Sequence, residues 1–282
     1  MDLQVIPDFA GPGQLYGLNV DAKATPVLIT HGTFSTAQTC APLAEFFARA
    51  GHPTYVIEWR NRQKRPGRFD YDDLAEGEIT AAVNAMPRPA HLVAHSGGGL
   101  AMLLGLRDVR LRAKTLSLTT LGTQATHLHT APLKDYLYIK AMGHVGRILG
   151  YWPTSVLGLG PCDETAGILD HWLRFNAMGK FTARDGVDMF AEMASWNLPA
   201  LVLSGAADTV IAPVQGCQAL ASALGGQAEF HLCSAATDGE DYTHSRLLRS
   251  RSAVQYVWPR ILAFWAAHNV ATASPSLKLP QS

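Results

Sequence analysis

Several common chemistries have little to work with in this sequence. Its four cysteines, Cys40, Cys162, Cys217 and Cys233, are scattered and form no C-x-x-C pair. That weighs against a zinc ribbon or a thioredoxin-like motif and makes a reducing compartment the simpler setting. A surplus of charge is also missing. Lys plus Arg number 23 and Asp plus Glu number 23, so the formal net charge is zero. Proteins that live on phosphate backbones carry a basic excess, so nucleic acid is not an expected partner. No stretch approaches the roughly 18 apolar residues of a membrane span. The opening MDLQVIPDF lacks the basic flank and apolar run of a signal peptide. The expectation is a soluble, cytoplasmic protein with no integral membrane segment. The G-x-x-x-x-G-K-[ST] spacing of a phosphate loop is absent, as are internal repeats and low-complexity tracts.

What is present is apolar. Hydrophobic residues make up 48% of the 282 residues and charged residues only 16%, enough for one large core with a buried sheet. Short β-rich runs alternate with helical patterns, the sign of a parallel sheet covered by helices on both faces. Strands are expected at 26–30, 54–59, 91–95, 115–121, 200–204 and 229–233. Helices are expected at about 37–50, 71–86, 97–107, 213–224 and 259–268. Residues from about 125 to 190 break this rhythm. They show no clear strand and carry Tyr136, Tyr138, Tyr151, Trp152, Trp172 and Phe175, which suggests a helical insertion between two strands. The chain therefore reads as a single domain over 1–282, with an insertion at about 125–190 and a loose tail at 271–282.

The most informative segment is Leu92-Val93-Ala94-His95-Ser96-Gly97-Gly98-Gly99. An apolar strand runs straight into a serine flanked by small residues, and a helix starts at once. A serine on so tight a turn needs small neighbours two residues before and after it, here Ala94 and Gly98. This segment resembles the G-x-S-x-G nucleophile elbow of the α/β-hydrolase family, with Ala94 in place of the first glycine. The family orders its residues as nucleophile, acid, histidine. Asp208 lies in the turn after the strand at 200–204, where the resemblance places the acid. The preceding strand ends in Leu121-Gly122-Thr123-Gln124, which holds no carboxylate. Of the eleven histidines, His231, His244 and His268 follow Asp208. His231 falls inside a strand pattern and His268 near the end of the last helix, whereas His244 stands in the polar loop Asp241-Tyr242-Thr243-His244-Ser245. By the same resemblance, His31-Gly32-Thr33-Phe34 after the early strand is the oxyanion loop. Its donors are the N–H groups of Gly97 and Thr33, with Phe34 as an alternative, and His31 fixes the loop. Glu58-Trp59-Arg60 and Trp172 are also similar to predicted hydrolases within the fold.

The resemblance extends over 27–268 and implies a serine esterase or lipase-like enzyme with Ser96, Asp208 and His244 as its triad. The expected reaction is hydrolysis of an ester or thioester of a small-molecule acyl substrate, through an acyl-enzyme and without a cofactor. The same triad serves an aminopeptidase-type amidase or an acyltransferase. A ligand-binding member of the fold without activity is the reading from another class. Candidate substrate contacts are Phe34, His95, Trp152 and Trp172. Arg60, Arg62, Lys64, Arg65 and Arg68 form a basic loop that is either a solvated face or an anion site. Asp163, Glu164 and Asp170 are the acids available for an amine anchor. His127 and His129 have metal-pair spacing with no carboxylate or cysteine spacing to support it, so no metal is expected. Oligomeric state stays open.

Overall fold

A computed structural model describes residues 2–60, 67–158 and 160–269. Among these, eight strands form one sheet in the order β1 (Gln4–Val5), β2 (Gln14–Leu18), β4 (Thr54–Glu58), β3 (Val27–Thr30), β5 (Ala90–His95), β6 (Thr115–Leu121), β9 (Ala200–Gly205), β10 (Ala228–Cys233). β1 and β2 pair antiparallel, and β2 lies antiparallel to β4. From β4 to β10 every pairing is parallel. The six expected strands are present to within a residue or so. β1 and β2 were not expected, because the former is two residues long and the latter carries a glycine in a five-residue run.

Period-2 alternation divides each central strand between two cores. Val27 and Ile29 of β3 pack with Val93, Leu201 and Leu203 on one face of the sheet. Leu28, Leu92, Ala94 and Val202 point to the other. Each such aliphatic side chain removed from water contributes about 1.5–3 kcal/mol. The sheet is thereby held rigid where β5 ends in its centre, between β3 and β6.

Helix boundaries follow local chemistry. The helix Ala41–Arg49 has proline in its first turn, and the chain reverses at Gly51 with φ 96°. Tyr71–Leu74 begins with a capping box, in which the Asp70 side chain accepts from the Asp73 N–H and Asp73 reciprocates. A π-turn over Ala75–Ile79 joins it to Thr80–Ala85, so the helix expected at 71–86 is interrupted.

Between β6 and β9 the insertion contributes helices Leu133–Leu149, Ala166–Met178 and Met189–Met193. The expectation of no strand there is corrected by a small antiparallel pair, β7 (Tyr151–Trp152) and β8 (Glu164–Thr165). Two residues per strand are too few to leave a periodic signal. Gly150, left-handed at φ 76°, ends the first insertion helix. Gly146 lets the Trp152 indole lie against that helix: a Cβ there would stand 1.9 Å from Trp152 Nε1.

The basic loop divides. Arg62, Lys64 and Arg65 lie outside the described residues, and Arg68 is exposed. Arg60 is already paired within the fold. Its guanidinium holds the Glu78 carboxylate, which is fully buried, at 2.6 and 2.8 Å, and also donates to the Asp73 carbonyl. A buried carboxylate that loses its cation is an uncompensated charge. Arg60→Met is therefore expected to destabilise the protein by about 3–5 kcal/mol. Denaturant unfolding checks this, and an unfolding midpoint unchanged from wild type would refute it.

Candidate active site

β5 delivers Ser96 to the carboxyl edge of the sheet. Its backbone takes φ 53° and ψ −129°, a conformation that costs a non-glycine residue on the order of 1–3 kcal/mol. The surroundings over-determine it. The Ser96 N–H donates to the Leu121 carbonyl at 2.9 Å, and the Thr123 hydroxyl donates to the Ser96 carbonyl at 2.9 Å. The helix Gly97–Gly105 leaves at once. A Cβ on Gly98 would stand 2.2 Å from the His31 carbonyl oxygen, so only glycine lets this helix reach the β3 loop.

The other two side chains arrive from the ends of β9 and β10. The Asp208 N–H closes a turn onto the Gly205 carbonyl at 3.1 Å, and Asp208 Oδ1 accepts from the Ala212 N–H at 3.1 Å. Tyr242 is buried, donates its hydroxyl to the Asp238 carbonyl and accepts the Ala207 N–H on its own carbonyl. This anchors the loop that carries His244. His244 Nδ1 lies 2.5 Å from Asp208 Oδ2, and His244 Nε2 lies 2.8 Å from Ser96 Oγ. A neutral imidazole can hold both contacts only by donating from Nδ1 to the carboxylate and accepting the serine proton at Nε2. Burial raises the Asp208 pKa, but the His244 charge, its hydrogen bond and the Ala212 N–H outweigh that and leave it below the usual carboxylate value. The other acids near this loop are engaged elsewhere. Asp238 bonds His231 at 2.9 Å, and Asp241 accepts from the Ala235 N–H.

Thr33 and Gly97, the two residues expected to supply oxyanion donors, line the same cavity as Ser96. Gly97 is the first residue of its helix, so its N–H has no carbonyl one turn back. Among the described residues neither it nor the Thr33 N–H meets a protein acceptor. The alternative donor, Phe34, is already used: with φ 63°, its N–H donates to Glu164 Oε2 at 3.2 Å. His31 is fully buried, its Nδ1 2.8 Å from the Gly32 carbonyl and its Nε2 2.8 Å from Glu58 Oε1, which suits a loop-fixing part.

A cavity of about 980 Å³ opens over Ser96 and His244. Phe34, His95, Trp152 and Trp172 all line it, as do Met142 and Leu169 of the insertion. His95 is less open to a ligand than the other three. It is buried, and its Nε2 donates to the His244 carbonyl at 3.2 Å. Tyr136 and Phe175 lie away from this cavity, and the His127 and His129 rings lie 5.3 Å apart and tilted, in no metal-binding cluster among the described residues. Tyr71 was missed. It is buried, lines the cavity and bonds Thr33 Oγ1 through its hydroxyl at 2.9 Å. Its partner is 38 residues away, so only its aromatic type at a helix start was visible locally.

No family model and no curated protein matches the chain in sequence. Solved structures do match. A bromoperoxidase from Bacillus anthracis superposes with TM-score 0.66 at 12% identity, covering 94% of this chain and 100% of that one. A thermophilic esterase from Thermogutta terrifontis gives 0.61 at 16%, covering 95% and 99%. The mouse alpha/beta hydrolase domain-containing protein 10 gives 0.61 at 14%, also covering 95% and 99%. The chain has the α/β-hydrolase fold. No described helix of this chain is long and apolar enough to cross a membrane.

Burial, and next the charge of His244, push the His95 pKa down from 6.5 to about 3. Between those values the unfolded chain takes up a proton that the folded chain refuses. The contribution of His95 to stability is thus complete above pH 6.5, declines as the pH falls through this window and levels off near 3. His95→Gln, which keeps a donor toward the His244 carbonyl, is expected to flatten the acid limb of the stability–pH curve. Urea midpoints measured from pH 7 to pH 4 test this, and parallel curves for the two proteins would count against it.

Proposed function

We propose that this protein is a serine hydrolase that cleaves carboxylic esters or thioesters through an acyl-enzyme. The observation that carries the reading is the continuous hydrogen-bond chain Ser96 Oγ–His244 Nε2 and His244 Nδ1–Asp208 Oδ2 at the carboxyl edge of the sheet. Ser96 Oγ attacks the acyl carbon while its proton passes to His244 Nε2. The oxyanion that forms accepts hydrogen bonds from the Gly97 and Thr33 N–H groups, which exist before the reaction and need not reorganise. The protonated His244, stabilised by Asp208, gives its proton to the leaving alkoxide or thiolate. Water then repeats the sequence on the acyl-Ser96 ester, releasing the acid and restoring the hydroxyl.

The insertion, taken as a helical cap, supports an acyl group as the occupant of the cavity. Trp152 and Trp172 are largely buried and line it beside Met142 and Leu169. Such walls exclude water and strengthen the oxyanion contacts. The amine anchor of an aminopeptidase finds less support. Asp163 accepts from the Ser155 N–H and hydroxyl, Glu164 from the Phe34 and Thr165 N–H groups, and Asp170 pairs with Arg147 at 2.6 Å. Water rather than an alcohol as the final acceptor, and a cytoplasmic setting, belong to the same proposal.

Ser96→Ala is expected to lower kcat by on the order of 10⁶ and to abolish labelling by a fluorophosphonate, with the unfolding transition little changed. Asp208→Asn, which favours the wrong His244 tautomer, is expected to lower kcat by roughly 10⁴ with KM nearly constant. Assays with p-nitrophenyl esters of graded acyl length, beside thioesters and aminoacyl anilides, provide the readout. Ser96→Ala activity within about tenfold of wild type would remove the assignment. In the same series Trp172→Ala is expected to shift the preferred acyl length. Unaltered preference would place the cap away from the substrate.

A further inference from the structure

A second group of side chains lies where the insertion meets the core, apart from the triad. His171 of the helix Ala166–Met178 faces Asp70 and Asp72, which flank Tyr71 at the start of Tyr71–Leu74. Its side chain is 2% exposed, and among the described residues neither ring nitrogen has a hydrogen-bond partner. Nε2 stands 3.5 Å from Asp72 Oδ2 and Nδ1 stands 3.8 Å from Asp70 Oδ2, too far for hydrogen bonds. Asp72 Oδ2 is buried and equally without a partner. The opposite oxygens are satisfied. Asp70 Oδ1 accepts from the Asp73 N–H and from Arg184, and Asp72 Oδ1 from the Arg184 N–H. Protein donors thus orient both carboxylates while the two Oδ2 atoms are left turned to an imidazole that cannot reach them.

We propose that Asp70, Asp72 and His171 bind a divalent transition-metal ion, zinc or manganese, that ties the insertion to the core. One ligand atom from each residue can be chosen so that all three lie within 4.8 Å of one another. Ligands on a tetrahedral zinc with bonds of about 2.0–2.1 Å stand about 3.3 Å apart, so a modest closing completes the set. Asp70, the most exposed of the three, has the room to move. Two carboxylates and an imidazole, with no thiolate, suit zinc or manganese better than calcium or magnesium, which prefer all-oxygen sites. Arg184 pairs with Asp70, Asp73 and Glu76 and so holds the Asp70 carboxylate from its outer side. Asp70 and His171 also line a separate cavity of about 560 Å³, which provides an entry path and room for water on the remaining coordination positions. The other cluster of suitable residues, His231, Cys233 and Asp238, differs because His231 already bonds Asp238 and three further donors reach that carboxylate.

The test uses untagged, chelator-treated full-length protein titrated separately with zinc and manganese chloride. Calorimetry and elemental analysis after desalting are the readouts. One ion per chain is expected, with a melting temperature that rises with metal concentration. His171→Gln and Asp72→Asn should each weaken binding at least tenfold, while Ser96→Ala and His231→Gln should leave it unchanged. In wild-type protein zinc should move the ring resonances of His171 and not those of His244, a readout that needs no variant. Failure of the wild type to retain an ion overturns the proposal, as does full binding in both His171→Gln and Asp72→Asn, or a response at His244. None of these outcomes depends on the hydrolase reading, because binding is measured in the Ser96→Ala protein as well.

Discussion

The tight turn at Ser96 is the constraint on which the other features of the site depend. A strand must stop, a helix must start, and between them a side chain must stand clear of both. The backbone accommodates this only at φ 53°. That conformation persists because the sheet beneath is packed on both faces and because nothing larger than hydrogen occupies the Cα of Gly98, against the His31 carbonyl. The same turn starts the helix at Gly97, whose N–H has no carbonyl one turn back. The strain at Ser96 and the unpaired N–H at the helix start are two results of one local geometry.

Parallel pairing does the rest of the assembly. Because β5, β9 and β10 run in the same direction, their carboxyl ends lie along one edge, and Ser96 meets a histidine 148 residues later in the chain. The electrostatics are graded along that edge. Asp208 remains ionised although buried, because His244 and the Ala212 N–H favour its charged form. His95 remains neutral in the same surroundings, held low by desolvation first and then by His244. That difference matters mechanistically. A neutral His95 can grip the His244 backbone carbonyl without placing a positive charge beside the His244 ring.

The parts of this arrangement legible in the sequence are those that leave local marks. The elbow announces itself by small residues around one serine after an apolar strand. Asp208 and His244 stand out because each sits in a polar loop directly after a strand. The central strands were legible from short, wholly buried apolar runs. What escaped depends on distant partners. β2 exists because β4 offers it an edge, β1 because β2 does, and β7 and β8 because the insertion folds back on itself. Arg60 reads as part of a basic run, yet Glu78, 18 residues on, claims it. Tyr71 and His171 are a helix-start aromatic and a mid-helix histidine until the fold sets them against Thr33 and the Asp70–Asp72 pair.

These distant contacts tie the insertion to the loop that follows β3. Glu164 belongs to β8, in the insertion, and its carboxylate accepts the N–H of Phe34, next to Thr33. Phe34 is itself left-handed at φ 63°, a conformation that needs such an external hold. On the other side, the Thr33 hydroxyl meets Tyr71, which lies between the two aspartates that face His171 of the insertion. The loop carrying the Thr33 N–H is therefore gripped twice, and both grips lead back to the segment between β6 and β9. Displacing that segment would release Phe34 from its strained turn and loosen the support of Tyr71. The loop beside Ser96 would then lose its support although Ser96, Asp208 and His244 had not moved.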